Sequence, residues 1–261
     1  MINTLNSQLL AKYPFIKHFF STRIGGHSHS PFQWANMSIK SGDPYSLKNR
    51  QQLASELDVP LERFVFMDQI HSDNILIASE QDAGKGSTSA DDAIKYYDAL
   101  VTNKPNLMLI VTTADCVPVL IADTRKKVIA AVHAGWRGSA KLITFKAVQK
   151  MKDGYNSSPH DIVAVIGPSI GPCCYQVGQD VLEAFKYTFA LKADDFFERR
   201  KNKLYLDLWK VNKYQLLQAG IPEQNIDHIA LCTSCNNNKF YSARRGDKGR
   251  QIAGIMLKQN H

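Results

Sequence analysis

The chain has 261 residues, of which 44% are apolar and 10% aromatic, so it can bury a hydrophobic core and does not belong to the disordered class of proteins. Lys and Arg number 32 and Asp and Glu number 24, which gives a formal net charge of +8 and favours anionic partners such as phosphate or nucleotides. The longest apolar stretch, residues 107–122, is interrupted by Asp115 and is too short between polar residues to span a bilayer, so we expect no membrane partner.

The basic residues are scattered along the chain rather than gathered in one patch. The densest group, residues 199–203, is typical of a solvated turn before a strand, so we expect no nucleic-acid partner. The first residues lack the charged start and apolar core of a signal peptide. Five cysteines, an odd number, fit reduced thiols or metal ligands. Together these features predict a cytoplasmic protein.

Hydrophobic periodicity and turn residues predict four helices and eight strands. In chain order they are helix 46–57, strands 64–67, 75–78, 107–111, 117–121 and 128–132, helix 139–151, strand 162–166, helix 179–189, strand 204–206, helix 208–219 and strand 251–257. Ser139 is predicted as the N-cap of the second helix. Several strands follow one another without a helix, and neither a repeat nor a linker divides the chain. We therefore predict one α+β domain over residues 1–261, a layered sandwich of mixed β-sheets flanked by helices.

Three side chains of the kinds that zinc prefers occur at or near predicted strand ends. His71 lies in D-Q-I-H-S-D-N, Cys116 in T-T-A-D-C-V-P-V-L and His133 in A-A-V-H-A-G-W-R-G. Two imidazoles and a thiolate would leave the fourth position of a catalytic zinc site to water or substrate. Their spacing is unlike that of zinc fingers, and each residue alone also fits a buried thiol or a core histidine, so both interpretations stay open.

A second group of cysteines is less informative. Cys232 and Cys235 form C-T-S-C, which fits half of a structural zinc site, a redox pair or a packed turn. The adjacent Cys173 and Cys174 are expected to point in different directions and not to complete a tetrahedron. We therefore expect a packed thiol turn at C-T-S-C.

Copper oxidation is disfavoured by composition. A multicopper laccase needs roughly ten His and a Cys flanked by them. This chain has eight His and no such run.

Four long motifs nevertheless occur in an order that points to a known family. They are D-A-L-V-T at 98–102, T-A-D-C-V-P-V-L at 113–120, A-A-V-H-A-G-W-R-G at 130–138 and G-P-S-I-G-P-C-C-Y-Q-V-G at 167–178. With S-T-R-I-G-G at 21–26 and R-R-G-D-K-G-R at 244–250, the chain resembles the laccase-domain family, also called the purine nucleoside phosphorylase or polyphenol oxidase family, over about residues 20–256. It departs from the family's F-S-Y-R-R in having Ala243, which removes an aromatic ring near the expected purine site.

The resemblance implies an α+β sandwich with its pocket at a metal held by His71, Cys116 and His133. The implied metal is zinc, with copper as the alternative. The implied activity is phosphorolysis of adenosine, inosine and methylthioadenosine to the free base and a ribose 1-phosphate, with adenosine deamination beside it. The partners are then purine nucleosides and phosphate, and the assembly is a monomer or a homodimer.

Other residues are candidates for substrate contacts. Arg23 and Arg137 lie beside glycines, and a guanidinium fork matches phosphate oxygens. Asn36 is a candidate for a ribose hydroxyl. Asp115, next to Cys116, fits a general base, a partner of the metal ligands or a turn cap. No Glu stands in the H-x-E arrangement of nucleobase deaminases, so no proton donor for deamination is identified.

Two alternatives from other classes remain. A cysteine hydrolase would use Cys116 as nucleophile and His133 as base, and it would tolerate removal of metal. A binding or cell-wall precursor editing role, which the resemblance also allows, would show no turnover of nucleosides.

Overall fold

A computed structural model describes residues 1–259; residues 260 and 261, the end of the predicted domain 1–261, lie outside the described residues. The strands are β1 Thr4–Leu5, β2 Ile16–Ser21, β3 Phe64–Val65, β4 Met67–Asp68, β5 Ile75–Ile77, β6 Ile94–Lys95, β7 Ala99–Thr102, β8 Met108–Thr113, β9 Val117–Asp123, β10 Val128–Ala134, β11 Ile162–Ile166, β12 Gln176–Val177, β13 Phe197–Arg200, β14 Lys203–Leu206, β15 Ile226–His228 and β16 Gln251–Leu257. The helices are α1 Gln8–Ala11, α2 Ser46–Glu56, α3 Trp136–Ala140, α4 Ile143–Tyr155, α5 Gln179–Phe189 and α6 Leu208–Gln218.

Two large mixed sheets form the centre of the molecule. The five-stranded sheet has the order β1-β2-β16-β8-β3 and is antiparallel except where β3 joins β8. The six-stranded sheet has the order β15-β11-β9-β10-β7-β5, with parallel pairs at both edges. A three-stranded sheet, β12-β14-β13, and a parallel pair, β4-β6, lie outside these two. The strands therefore form the mixed sheets that the sequence predicts.

The two large sheets pack face to face, and helices cover their outer faces. Leu120 and Ala122 of β9 pack with Leu109 of β8 and Ile255 of β16 between the sheets. The opposite face of the six-stranded sheet packs against α4, α5 and α6. The opposite face of the five-stranded sheet packs against α2 through Leu53 and neighbouring residues. The protein is thus a single-domain layered sandwich flanked by helices.

Strict alternation along β9 explains why both faces of the six-stranded sheet are apolar. Val117, Val119 and Ile121 face the helices, whereas Leu120 and Ala122 face the other sheet. All seven residues of β9 are buried, as are all seven of β10. Such continuous apolar runs are typical of strands covered on both faces.

The helix predicted over 139–151 differs from the observed structure. The chain forms two helices there, α3 and α4, separated at Leu142, which takes a left-handed conformation with φ of 65°. Ser139 lies inside α3, so its prediction as an N-cap is wrong. Its Oγ accepts a hydrogen bond from Asn212 Nδ2 of α6 at 3.2 Å, so the hydroxyl contacts a neighbouring helix instead of capping one.

The other predicted elements are confirmed with small shifts of their ends, apart from the strand over 64–67. That segment forms the separate strands β3 and β4. Among the described strands the prediction omits seven, and four of these belong to the large sheets: β1, β2, β7 and β15. Within the described residues, no helix combines the length and the apolar character needed to cross a membrane.

Candidate active site with a His-Cys-His group

Strand pairing brings Cys116, His133 and Asp98 to one end of the six-stranded sheet. Ala134 of β10 pairs with Val117 of β9, so the residue before β9, Cys116, lies beside the end of β10 that carries His133. The backbone N–H of His133 donates to the carbonyl of Asp98 at 2.8 Å, and Asp98 immediately precedes β7. Side chains at strand ends are held in fixed positions by a rigid sheet.

His71 reaches the same place from the segment before β5. Because β5 pairs in parallel with β7, the residues preceding both strands lie at the same end of the sheet. His71 has a left-handed backbone, with φ of 61°. Non-glycine residues in this region are uncommon and often occur at functional sites.

The three predicted metal ligands converge. One ligand atom each from His71, Cys116 and His133 lies within 4.8 Å of the others. The two imidazole rings meet edge to face, with 4.9 Å between their centroids. His133 is buried, Cys116 is half-buried and His71 is exposed. The group therefore has one side toward the core and one side toward solvent.

Asp98 fixes both histidines, and the sequence analysis assigns it no role. Its carboxylate accepts the Nδ1 hydrogen bond of His133 at 2.8 Å and backbone N–H bonds from His71 at 2.9 Å and Ser72 at 2.6 Å. With Nδ1 occupied, His133 is left with Nε2 as its ligand atom. A carboxylate on the far nitrogen of a histidine is the usual partner of a metal-binding imidazole.

The charges of these groups are strongly coupled. Burial alone would raise the pKa of the Cys116 thiol, but the His133 and His71 imidazoles outweigh burial and lower that pKa to about 6. Burial alone would lower the pKa of His133, whereas Cys116 and Asp98 raise it to about 9. Burial would likewise raise the pKa of Asp98, but His133 and Ser72 lower it to about 2. Cysteine therefore stands in its thiolate form, which is both the ligand and the nucleophile.

The space around the three ligands suits a metal ion. A Cβ added to Gly135 would lie 3.0 Å from Cys116 Sγ and 3.0 Å from His71 Cδ2, so glycine at this position leaves both side chains room to converge. Two imidazoles and one thiolate are the donor set of an open zinc site. The donors that are present fit zinc, and imidazole with thiolate also accommodates copper.

The group opens into a cavity of about 620 Å³ between the ends of the two large sheets. This volume is within the range of ligand pockets. Trp136 and Tyr175 contribute aromatic walls. Five basic residues line the cavity, against the acidic residues Asp68 and Asp115; the basic residues are Lys40, Arg137, Arg244, Lys248 and Arg250. The cavity is therefore electropositive, as expected for an anionic ligand.

Arg137, predicted as an anion contact, lies in the cavity wall. It is exposed, lines the cavity and stacks on the Trp136 ring, with 4.2 Å between Cζ and the ring centroid. Arg244 also lines the cavity, and its Nη1 donates to the carbonyl of Gln176 at 2.8 Å. The motif R-R-G-D-K-G-R supplies Arg244, Lys248 and Arg250. Its basic residues interspersed with glycines could have indicated an anion site, but in the sequence analysis the motif supports only the family resemblance.

Arg23 and Asn36 do not line the cavity. The Arg23 guanidinium is buried, where it donates to the carbonyls of Gln33 at 3.0 Å and Asn237 at 3.0 Å. Asn36 is fully buried and accepts the backbone N–H bond of Arg250 at 2.9 Å. Both residues thus hold loops through hydrogen bonds, outside the lining of the cavity.

Asp115 lines the cavity, but its carboxylate already has several donors. It accepts hydrogen bonds from Thr233 Oγ1 at 2.7 Å, Ser242 Oγ at 3.0 Å and the backbone N–H of Arg244 at 2.7 Å. Its backbone is left-handed, with φ of 93°. These contacts match the turn-organising role better than that of a general base, because a base needs a free lone pair directed at the substrate.

A second group of sulfur atoms, here called the thiol cluster, contradicts the expectation that Cys173 and Cys174 point in different directions. The Sγ atoms of Cys173, Cys174, Cys232 and Cys235 all lie within 4.8 Å of one another. Cys173 and Cys174 do not point apart, because the chain turns tightly there: the N–H groups of Cys174 and Tyr175 both donate to the carbonyl of Gly171, at 3.0 and 3.1 Å. Adjacent cysteines can therefore face one centre.

Comparison with known proteins supports a shared family across almost the whole chain. Residues 17–258 match the family described as multi-copper polyphenol oxidoreductase laccase. A protein of Bacteroides thetaiotaomicron named purine nucleoside phosphorylase is 35% identical over 97% of this chain and 96% of its own length. A protein from an unknown prokaryotic organism named adenosine deaminase RL5 is 32% identical over 93% of this chain and 94% of its own.

A solved structure shows the same fold. The crystal structure of the Bacillus licheniformis hypothetical protein YfiH has a TM-score of 0.91 and 36% identity, and the match covers 95% of this chain and 94% of that one.

Proposed function

The chain belongs to the family described as multi-copper polyphenol oxidoreductase laccase, and from this membership we propose that it is a zinc-dependent purine nucleoside phosphorylase. The substrates are adenosine, inosine and methylthioadenosine. A phosphate oxygen attacks C1′ of the ribose, the C–N glycosidic bond breaks, and its electron pair passes to the departing base. Adenosine deamination is proposed as a second activity, since one relative is named adenosine deaminase.

One observation carries the proposal. The His-Cys-His group lies in the wall of an electropositive cavity large enough for a nucleoside. Of the basic side chains in that wall, Arg137 stacks on Trp136 and Arg244 is anchored to the carbonyl of Gln176. Guanidinium groups held in this way bind phosphate oxygens and offset the charge of the nucleophile as it approaches the sugar.

The aromatic walls suit the purine. Trp136 and Tyr175 present flat apolar rings to the cavity, and a purine buries most area by stacking on such rings. Ala243 lies in the same wall and leaves space there because its side chain is small.

His71, Cys116 and His133 would hold the zinc ion. When bound, zinc supplies Lewis acidity at its remaining coordination position. Asp98 accepts the Nδ1 hydrogen bond of His133 and so keeps Nε2 directed at the ligand position. Cys116 contributes its thiolate, and Gly135 leaves the room that this arrangement needs.

The reaction is tested with purified protein, inosine and phosphate. Base release requires added phosphate and yields ribose 1-phosphate, both quantified by chromatography, whereas adenosine deamination proceeds without phosphate. A Cys116→Ala/His133→Ala variant loses one equivalent of zinc relative to the parent protein. Base release at the same rate without phosphate identifies a nucleoside hydrolase and overturns the proposal.

A cysteine hydrolase is the second candidate, because Cys116, His133 and Asp98 lie in the order nucleophile, base and orienting carboxylate. Alkylation separates the two functions. In a phosphorylase, zinc coordinates the Cys116 thiolate and slows its alkylation. Rapid alkylation of Cys116 in the zinc-loaded protein, together with a thioester at Cys116 after incubation with an ester whose alcohol is released, would favour the hydrolase.

A further inference from the structure

The thiol cluster lies outside the cavity, and no sulfur of it belongs to the His-Cys-His group. Its four cysteines come from two turns that are about 60 residues apart in sequence, Cys173–Cys174 and Cys232–Cys235. Cys235 Sγ is 3.5 Å from Cys173 Sγ and 3.4 Å from Cys174 Sγ.

These separations match a tetrahedral metal site. Zinc–sulfur bonds of about 2.3 Å place the four sulfur atoms of a tetrahedron about 3.8 Å apart. The measured contacts of 3.4 and 3.5 Å and the outer limit of 4.8 Å bracket that edge length. An ion at the centre would need only small side-chain movements to bind all four.

The backbone around the cluster supports an anionic sulfur. The N–H group of Gly171 donates to Cys232 Sγ at 3.2 Å. The two turns are also joined by an isolated bridge between Ser169 and Cys232, with Thr233 N–H donating to the Ser169 carbonyl at 3.0 Å. Hydrogen bonds to ligand sulfur orient it and stabilise the thiolate form.

Two arginines add positive charge to the same turns. Arg200 Nη2 donates to the carbonyl of Pro172 at 3.2 Å, and Arg245 Nη1 donates to the carbonyls of Thr233 at 2.6 Å and Ser234 at 2.8 Å. Each guanidinium is also paired with a carboxylate, Arg200 with Glu198 and Arg245 with Asp247, so the two arginines mainly anchor the turns and offset the −2 charge of a divalent ion with four thiolates only in part.

We propose that Cys173, Cys174, Cys232 and Cys235 form a tetrathiolate site for a thiophilic divalent cation, zinc by preference, that joins the two turns. Cys173 and Cys235 are exposed, so the ion can enter from solvent, and Cys232 is buried. Four protein ligands leave no open position, which is the arrangement of a structural site. The inference does not rest on the proposed function.

The site is placed to hold part of the cavity wall. Cys174 is followed by Tyr175, which lines the cavity, and Thr233 between the other two cysteines donates to Asp115. Metal binding therefore connects the turn that carries Tyr175 to the loop that fixes Asp115, and it adds its binding free energy to the stability of both.

The test measures metal in a protein whose other candidate site is disabled. A His71→Ala/His133→Ala variant, purified with reduced thiols, retains about one zinc per chain. Adding Cys173→Ser and Cys235→Ser removes that zinc and lowers the melting temperature. The matched control, Ser234→Ala in the same background, lies between Cys232 and Cys235 but offers no ligand, and it retains the metal.

Cobalt substitution of the unaltered chain gives a second readout if a variant fails to fold. A tetrathiolate site adds strong sulfur-to-cobalt charge-transfer absorption to the weaker band from the single thiolate of Cys116. Absorption that accounts for one thiolate alone overturns the proposal. So does a His71→Ala/His133→Ala variant that is folded and free of metal, or one whose zinc survives the two cysteine changes.

Discussion

The carboxylate of Asp98 contacts both histidines of the candidate site, one through its imidazole and one through its backbone. It accepts the Nδ1 bond of His133 and the backbone N–H bonds of His71 and Ser72. The ligand geometry therefore depends on a residue that is not itself a ligand.

We predict that Asp98→Asn weakens zinc binding at the His-Cys-His group by about tenfold to a hundredfold. The amide removes the negative charge and replaces one acceptor oxygen with a donor, so the N–H groups of the 70–72 segment lose a partner. Competition with a chelator in a background without the thiol cluster measures the affinity. Asp153→Asn, an exposed carboxylate on α4, is the control. Equal affinity in both variants would contradict the prediction.

We predict that replacing Arg137 changes the binding of phosphate, whereas replacing Arg23 changes the stability of the fold. Arg137→Ala removes a charge-assisted bond of about 1.5–3 kcal/mol, which raises the phosphate KM about tenfold to a hundredfold and leaves deamination nearly unchanged. Arg23→Ala instead removes the hydrogen bonds from a buried, charged donor to the carbonyls of Gln33 and Asn237, at a cost of about 1.5–3 kcal/mol of stability. Steady-state kinetics and urea unfolding of both variants measure the two effects.

The two variants are compared by their phosphate KM and by their free energy of unfolding. An increase of the phosphate KM in Arg23→Ala with unchanged stability would return that residue to the anion site.

At the scale of elements, the segment from β10 to α3 positions the ligands. The chain leaves β10 at Ala134 and enters α3 at Trp136, so Gly135 alone connects the strand that carries His133 to the helix that carries Arg137. Gly135 is the N-cap of α3 and packs against Cys116 and His71. A side chain at this position has to displace a ligand.

We predict that Gly135→Ala lowers the zinc content of the His-Cys-His group without changing any ligand. The added Cβ would lie 3.0 Å from Cys116 Sγ, closer than nearly all such contacts. Gly154→Ala is the matched control, because its Cβ meets only Ile77 Cδ1 at 3.5 Å and alanine favours the helix by about 1 kcal/mol. Elemental analysis of both variants decides, and full zinc in Gly135→Ala would show that the ligands can shift aside.

β2 contains a buried histidine that makes stability depend on pH. His18 Nε2 accepts the N–H bond of Ser7, the N-cap of α1, at 2.9 Å. Burial lowers the pKa of His18 to about 4, although the nearby Asp227 opposes this shift. The neutral ring therefore joins α1 to the five-stranded sheet.

Between pH 4 and 6.5 the unfolded chain binds a proton at this position that the folded chain does not, so stability falls as the pH drops through that window. The loss attributable to His18 reaches about 3 kcal/mol. His18→Gln keeps an acceptor for Ser7 but cannot be protonated, so its unfolding free energy declines less over the same window. Urea unfolding of both proteins at pH 4.5 and 7 measures the difference, and equal declines would refute the assignment.

At the scale of the whole molecule, the local pattern of apolar residues predicts most strands and helices. It does not predict which strands lie next to each other in a sheet. The apolar runs of β9, β10 and β11 are evident in the sequence, and they are adjacent in the six-stranded sheet. The place of β16 between β2 and β8 is not evident, because the pairing of Phe20 with Ala253 joins residues more than 200 positions apart. β2 itself is interrupted by Lys17 and His18, which hides its strand pattern.

In the candidate site, too, some residues can be recognised from the sequence and others only from the fold. His71, Cys116 and His133 are recognisable by residue type and by the motifs around them. Asp98 is not, because its partners lie 27 and 35 positions away. Arg23 and Arg137 both stand beside glycines, and only the fold shows that one guanidinium points into the protein and the other into the cavity.

The position of β16 sets an order of events during synthesis. Its residues, 251–257, emerge from the ribosome after those of every other described strand, yet β16 is the middle strand of the five-stranded sheet. The β9–β10 hairpin beside Cys116 and His133 can form while synthesis continues, since its strands are close in sequence. Before β16 emerges, β2 and β8 have open edges facing each other, a state that invites pairing with other chains. We therefore expect the metal ligands to gather first and the cavity, whose wall includes Arg250, to close only after residues 251–257 have emerged.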